Sequence, residues 1–128
     1  MLTDSPAVAT FSVDSAATAA EFYRDVLGLD VRLDDEPGPM LHVAFAGGGR
    51  AMIYEKEGHQ AASHTVLMFP VDDVVATAGE LVQRGVVLER LEWCDPDGIA
   101  RDPDGAMPDM AWFKDPAGNW LHLIGPTP

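Results

Sequence analysis

Residues 11–15 read Phe11-Ser12-Val13-Asp14-Ser15, and 58 positions further on residues 69–73 read Phe69-Pro70-Val71-Asp72-Asp73. Each copy is followed by an amphipathic pattern closed by glycine. In the first, Ala19, Phe22, Tyr23, Val26 and Leu27 recur at i, i+3, i+4, i+7 and i+8, one face of an α-helix, and Gly28 stands at the C-terminal cap position. In the second, Val74, Ala78, Leu81 and Val82 make the same kind of stripe and Gly85 ends it. Ser15 and either Asp72 or Asp73 are N-cap candidates, because a short oxygen-bearing side chain can satisfy the first free helical N–H groups. The closing glycines are 57 residues apart, so one deletion separates the copies.

Outward from the helices, each copy continues into three strand-like runs. They are 29–33, 40–46 and 50–55 in the first copy, and 86–89, 110–114 and 120–124 in the second. Gly47-Gly48-Gly49-Arg50 and Asp115-Pro116-Ala117-Gly118-Asn119 are the matching glycine-bearing turns of the last hairpins. The plan is therefore βαβββ, twice, in an α+β chain. The expected organisation is a single domain over 1–128, with module one at about 6–56, module two at about 64–125, and a link around Gly58. The stretch 91–108 is the least regular, with two Asp-Pro-Asp-Gly turns, and a loop of that length is often functional.

Composition narrows the function. The 128 residues carry a formal charge of −13, which argues against nucleic acid and anionic membranes as partners, since phosphate contacts need clustered Lys and Arg. No apolar run approaches the roughly 20 residues of a membrane span. The opening residues lack a basic segment, so no secretory signal is expected. Cys94 is the single cysteine, which excludes an intrachain disulfide and fits a cytoplasmic location.

Three motifs then resemble one family. They are Val13 with the helix ending Phe22-Tyr23-Arg24-Asp25-Val26-Leu27-Gly28-Leu29, Val71-Asp72-Asp73 followed by Gly85-Val86, and the closing run from Trp112 to Leu121 through Asp115-Pro116-Ala117-Gly118-Asn119. In order and at these spacings they resemble the vicinal-oxygen-chelate superfamily of glyoxalases, bleomycin-resistance proteins and extradiol dioxygenases, from about Val8 to Ile124. The resemblance implies two βαβββ modules forming an open eight-stranded cup with the helices outside, a homodimer, and a divalent metal held by the first and last strands of each module.

The metal positions carry over as Val8, Ile53, Val66 and His122, of which only His122 can ligate. Catalytic zinc takes three protein ligands and non-heme iron a two-histidine, one-carboxylate face. No metal cofactor is therefore expected. A displaced set of His64, Glu55 and His122 can be written down. It requires shifts of two residues along a strand, about 7 Å, which a metal–ligand bond does not tolerate.

Strand alternation selects the cup-facing side chains. Thr10 and Ser12 are expected inward on the first strand, His42 on the third, and His64, Val66 and Met68 on the fifth. Trp120, His122 and Ile124 are expected inward on the last strand. The fourth strand reads two ways: the repeat puts Ala51, Ile53 and Glu55 inward, whereas a one-residue slip substitutes Met52 and Tyr54. The candidate ligand-binding residues are thus Thr10, Ser12, His42, Ile53, His64, Met68, Trp112 and Trp120, with His122 as candidate general acid or base. Trp120 or Met110 at a subunit interface is the alternative. His59, in the link, is expected to be solvated. Trp93 reads as a core or lid residue, and Cys94 has no base beside it in sequence.

Apolar walls with a few polar groups suit a small organic molecule. The leading expectation is a metal-independent binder, with lyase or isomerase chemistry at His122 if it is an enzyme. The alternatives are a metal-dependent glyoxalase-like lyase or extradiol dioxygenase, and non-enzymatic sequestration of a cationic antibiotic.

Overall fold

The computed structural model describes residues 1–128, which form two compact units, Met1–Gln60 and Ala61–Pro128. The first runs β1 (Ala9–Val13), α1 (Ala16–Glu21), β2 (Asp30–Asp34), β3 (Met40–Ala44) and β4 (Arg50–Glu55). Its sheet order is β1-β4-β3-β2, with β1 parallel to β4 and the other pairs antiparallel. One face is closed by α1 over Val13, Leu41, Val43, Ala51 and Ile53, all at most 1% exposed. The Ser15 side chain accepts from the Thr18 N–H, and Glu55 Oε1 accepts from the Ala16 N–H at 2.9 Å, so a strand side chain completes the helix cap.

The expected single helix is two pieces. Beyond Glu21 the chain widens into a π-helical turn over Phe22–Val26, in which the Leu27 N–H reaches back to the Phe22 carbonyl. The wide turn holds Tyr23 fully buried, edge-on to both Phe11 and Phe22.

The second unit repeats the topology: β5 (Thr65–Pro70), α2 (Val74–Gln83), β6 (Leu88–Glu89), β7 (Ile99–Ala100), β8 (Met110–Lys114) and β9 (Trp120–Ile124). Its order is β5-β9-β8-β6, again with the first and last strands parallel. The Asp73 side chain caps α2, and Gly85 (φ 93°) closes it: the Val86 N–H bonds the Leu81 carbonyl and the Gly85 N–H bonds that of Val82. Val74, Ala78 and Leu81 meet Ala111, Phe113, Leu121 and Leu123 in the core of this unit.

Two details depart from the sequence reading. β7 is a ninth strand inside the irregular stretch 91–108, paired on β8. The Arg101 guanidinium spans Asp95 and Asp97 of the first Asp-Pro-Asp-Gly turn, and the Asp102 carboxylate accepts three backbone N–H groups in the second. The stretch is thus ordered by its own turns. No helix is long and apolar enough to cross a membrane.

The β8–β9 hairpin is built around a buried carboxylate. Asp115 is 4% exposed; Oδ1 accepts from the Ala117 and Asn119 N–H groups and Oδ2 from Asn119 Nδ2 at 3.0 Å. Removing a buried acceptor leaves several donors unsatisfied. Asp115→Ala is expected to lower unfolding stability by about 2–4 kcal/mol, read as a shifted urea midpoint.

Candidate functional site

Each sheet presents its helix-free face as a grid set by strand register. In the first unit one row is Arg32, His42, Met52 and Thr10, and the next is Asp34, Met40, Tyr54 and Ser12. Thr10, Ser12 and His42 therefore share one face. The Ser12 hydroxyl lies 2.7 Å from His59 Nδ1, so His59 ties the link segment to the sheet edge, contrary to the expectation of a solvated side chain. His42 Nε2 lies 3.8 Å from the Asp34 carboxylate.

Ile53 is corrected. It pairs with Phe11 and is 0% exposed in the core, so it lines no open face. The slipped reading of the fourth strand is the one realised, with Met52 and Tyr54 on the open face. Glu55 goes with Ile53 and its carboxylate is used by the α1 N-terminus. The repeat alignment misled because it matched Ile53 to His122: the two hairpins close with the same register, Ala44 opposite Arg50 and Lys114 opposite Trp120, which makes Met52 the counterpart of His122.

In the second unit Met68, His122, Trp112 and Glu89 form one cross-strand row, with Thr65, Trp120 and Lys114 beside it. The Trp112 ring stands edge-on to His122 at 5.2 Å, and Trp93 stands edge-on to Trp112 at 5.9 Å. Lys114 Nζ lies 4.5 Å over the Trp120 ring. Met68 and Trp93 are more than half exposed. His122 Nδ1 is 3.5 Å from Thr65 Oγ1, the long limit of a hydrogen bond, whereas Nε2 is buried and makes none. Burial holds the His122 imidazole below the ordinary histidine pKa, favouring the neutral ring.

His64 is corrected too. It is exposed in the bend before β5, and a bulge at Val66 shifts the register, so Thr65 takes the place beside Trp120. A bulge adds one residue and reverses strand parity, which alternation alone cannot reveal. Trp93 was missed as a partner of Trp112 because it lies in the irregular stretch, where no period predicts a contact.

The side chains present do not fit the superfamily's metal centre. In the first unit Val8 offers no donor and Ile53 is buried in the core; in the second, Val66 offers none and His122 stands without another ligand. Within neither unit do three His, Cys, Asp or Glu side chains come together in a group able to hold a metal ion.

The architecture is that of a repeated βαβββ protein. The family model described as Glyoxalase/Bleomycin resistance protein/Dioxygenase superfamily matches residues 6–123, and the chain belongs to that superfamily. Among solved structures it is similar to TnmS3, an antibiotic binding protein from Streptomyces sp. CB03234 (29% identity, 94% of this chain and 96% of that one, TM-score 0.68). A glyoxalase/bleomycin resistance protein from the same organism is 27% identical over 92% of this chain and 99% of that one (TM-score 0.63). The fosfomycin resistance protein FosX from Listeria monocytogenes shares the fold (TM-score 0.73, 94% and 90% coverage) at 14% identity. No curated protein matches the chain.

The lowered histidine pKa has a measurable consequence. As pH falls through about 6.5, the unfolded chain takes up a proton at this position before the folded one does. The stability tied to neutral His122 is complete above that pH and is lost as pH falls toward the lower folded-state value. His122→Phe should flatten this part of the profile, measured as a smaller difference between urea midpoints at about pH 7 and about pH 5.

Proposed function

We propose that the protein binds a small planar organic molecule on the open face of the second unit and holds it without a metal. The observation that carries this is the buried, unpartnered Nε2 of His122 beside the edge of Trp112. A buried polar atom without a partner is costly, and a ligand hydroxyl or N–H would remove that cost. Trp112 and Trp93 supply aromatic surface, and half-exposed Met68 supplies an adaptable neighbour. The likeness to an antibiotic binding protein at 29% identity supports binding of a small organic molecule. Lys114, over Trp120, lies 4.0 Å from Glu89, so this face carries one charge of each sign.

A second reading, acid–base chemistry of lyase or isomerase type, is favoured by one observation: His122 is held neutral, as a general base requires. A homodimer belongs to the proposal on the strength of the family likeness. Analytical ultracentrifugation should give a mass near twice the chain's 13.7 kDa.

The test is an NMR titration with 2-naphthol, indole and 2-hydroxyquinoline, followed at the Trp112 indole and His122 ring signals. At least one probe is expected to move both, with binding weakened about tenfold or more by Trp112→Ala and by His122→Ala. The probe should be recovered unchanged, and elemental analysis should find no stoichiometric metal. A product that disappears in His122→Ala would establish the second reading, and unmoved signals with all three probes would sink both.

A further inference from the structure

The open face of the first unit carries a cavity that the reading above does not use. Its volume is about 380 Å³, and its walls include Val8, Asp30, Arg32, His42, Ala44 and Arg50. The register explains the hollow: Ala44 is the cross-strand partner of both Asp30 and Arg50, so a methyl group stands between two long or charged side chains. One row along, Arg32 pairs with His42.

The charges here run against the rest of the chain, which has 21 acidic and 8 basic side chains. Arg24, Arg84 and Arg101 each have a carboxylate within 3.1 Å. Arg50 has no ion pair, and the carboxylate nearest Arg32, Asp34, is 4.0 Å away. Two guanidiniums with unused donors thus border one hollow against the single carboxylate of Asp30. Of the six guanidiniums three hold a carboxylate within 3.1 Å, and of the other three Arg32 and Arg50 border this space.

We propose that this hollow binds the carboxylate of a small organic monoanion, with Arg50 as its main partner and Arg32 as the second. The planar guanidinium fork matches a carboxylate through two parallel N–H···O bonds. The valine and alanine walls accept the apolar body, and the volume falls in the range of small-molecule sites. Asp30 selects against more strongly charged anions, because a phosphate dianion beside it adds like-charge repulsion.

Benzoate, benzamide and inorganic phosphate, titrated separately into ¹⁵N-labelled protein at low salt, test the assignment. Benzoate should move the amide signals of Ala44, Arg50 and Ala51, more weakly as chloride is added. Benzamide should leave them in place, and phosphate should bind more weakly than benzoate. Arg50→Gln should weaken benzoate at least fivefold, and Arg50→Lys, which keeps the charge without the fork, should fall between. Arg50 is on the surface, so an unchanged urea midpoint will show that both variants fold. Unmoved amides with benzoate, equal shifts with benzamide, tighter binding of phosphate, or unchanged binding by Arg50→Gln would each overturn the proposal. Trp112→Ala should leave benzoate binding unaltered, so the outcome is independent of the second-unit reading.

Discussion

Each sheet in this protein has one helix to cover it, and the rest of the structure follows from that constraint. A strand sends alternate side chains to opposite faces, so covering one face decides what the other must be. In the first unit the covered side takes Val13, Leu41, Val43, Ala51 and Ile53; in the second it takes Ala111, Phe113, Leu121 and Leu123. The opposite faces are left to half-buried polar and aromatic side chains that a core would not accept. The candidate sites are therefore what remains when the only available packing has been used.

The same economy explains where the acids go. A charge of −13 invites the thought of a cation site, yet several of the carboxylates serve the backbone. Asp73 caps α2, Glu55 caps α1 from a neighbouring strand, Asp102 gathers three N–H groups, and Asp115 organises the last hairpin from inside it. An acid bonded to backbone N–H groups closes a turn that would otherwise leave donors exposed or buried without partners. This accounts for Glu55 being unavailable as a displaced metal ligand.

The repeat, the N-caps of both helices, and the facing of β1, β3 and β9 were legible in the sequence, because period and punctuation encode them directly. What was not legible concerns parity. At Val66 a bulge inserts one residue, which exchanged His64 for Thr65 as the neighbour of the Trp120–His122 edge. At β4 the copies were matched one residue out of step: both hairpins close with the same register, so Met52 is the counterpart of His122, and Ile53 lies in the core with Met52 and Tyr54 on the open face. Both errors have one cause: a single-residue change of register leaves composition and apolar count untouched while reversing every side chain beyond it. The Trp93–Trp112 contact was illegible for another reason, since it depends on where an aperiodic segment folds back.

The two units are alike in their cores and differ on their open faces. On the open faces Val8, Met52 and Val66 offer neither imidazole nor carboxylate. In the first unit the face carries arginines around an alanine-floored hollow, and in the second it carries tryptophans around a histidine whose Nε2 has no partner. The covered faces cannot diverge in this way, because any polar or oversized side chain there meets a close-packed helix and is penalised at once. Similarity in the core with dissimilarity on the open faces is thus what the packing constraint permits, and it places specificity in this chain on the helix-free side of each sheet.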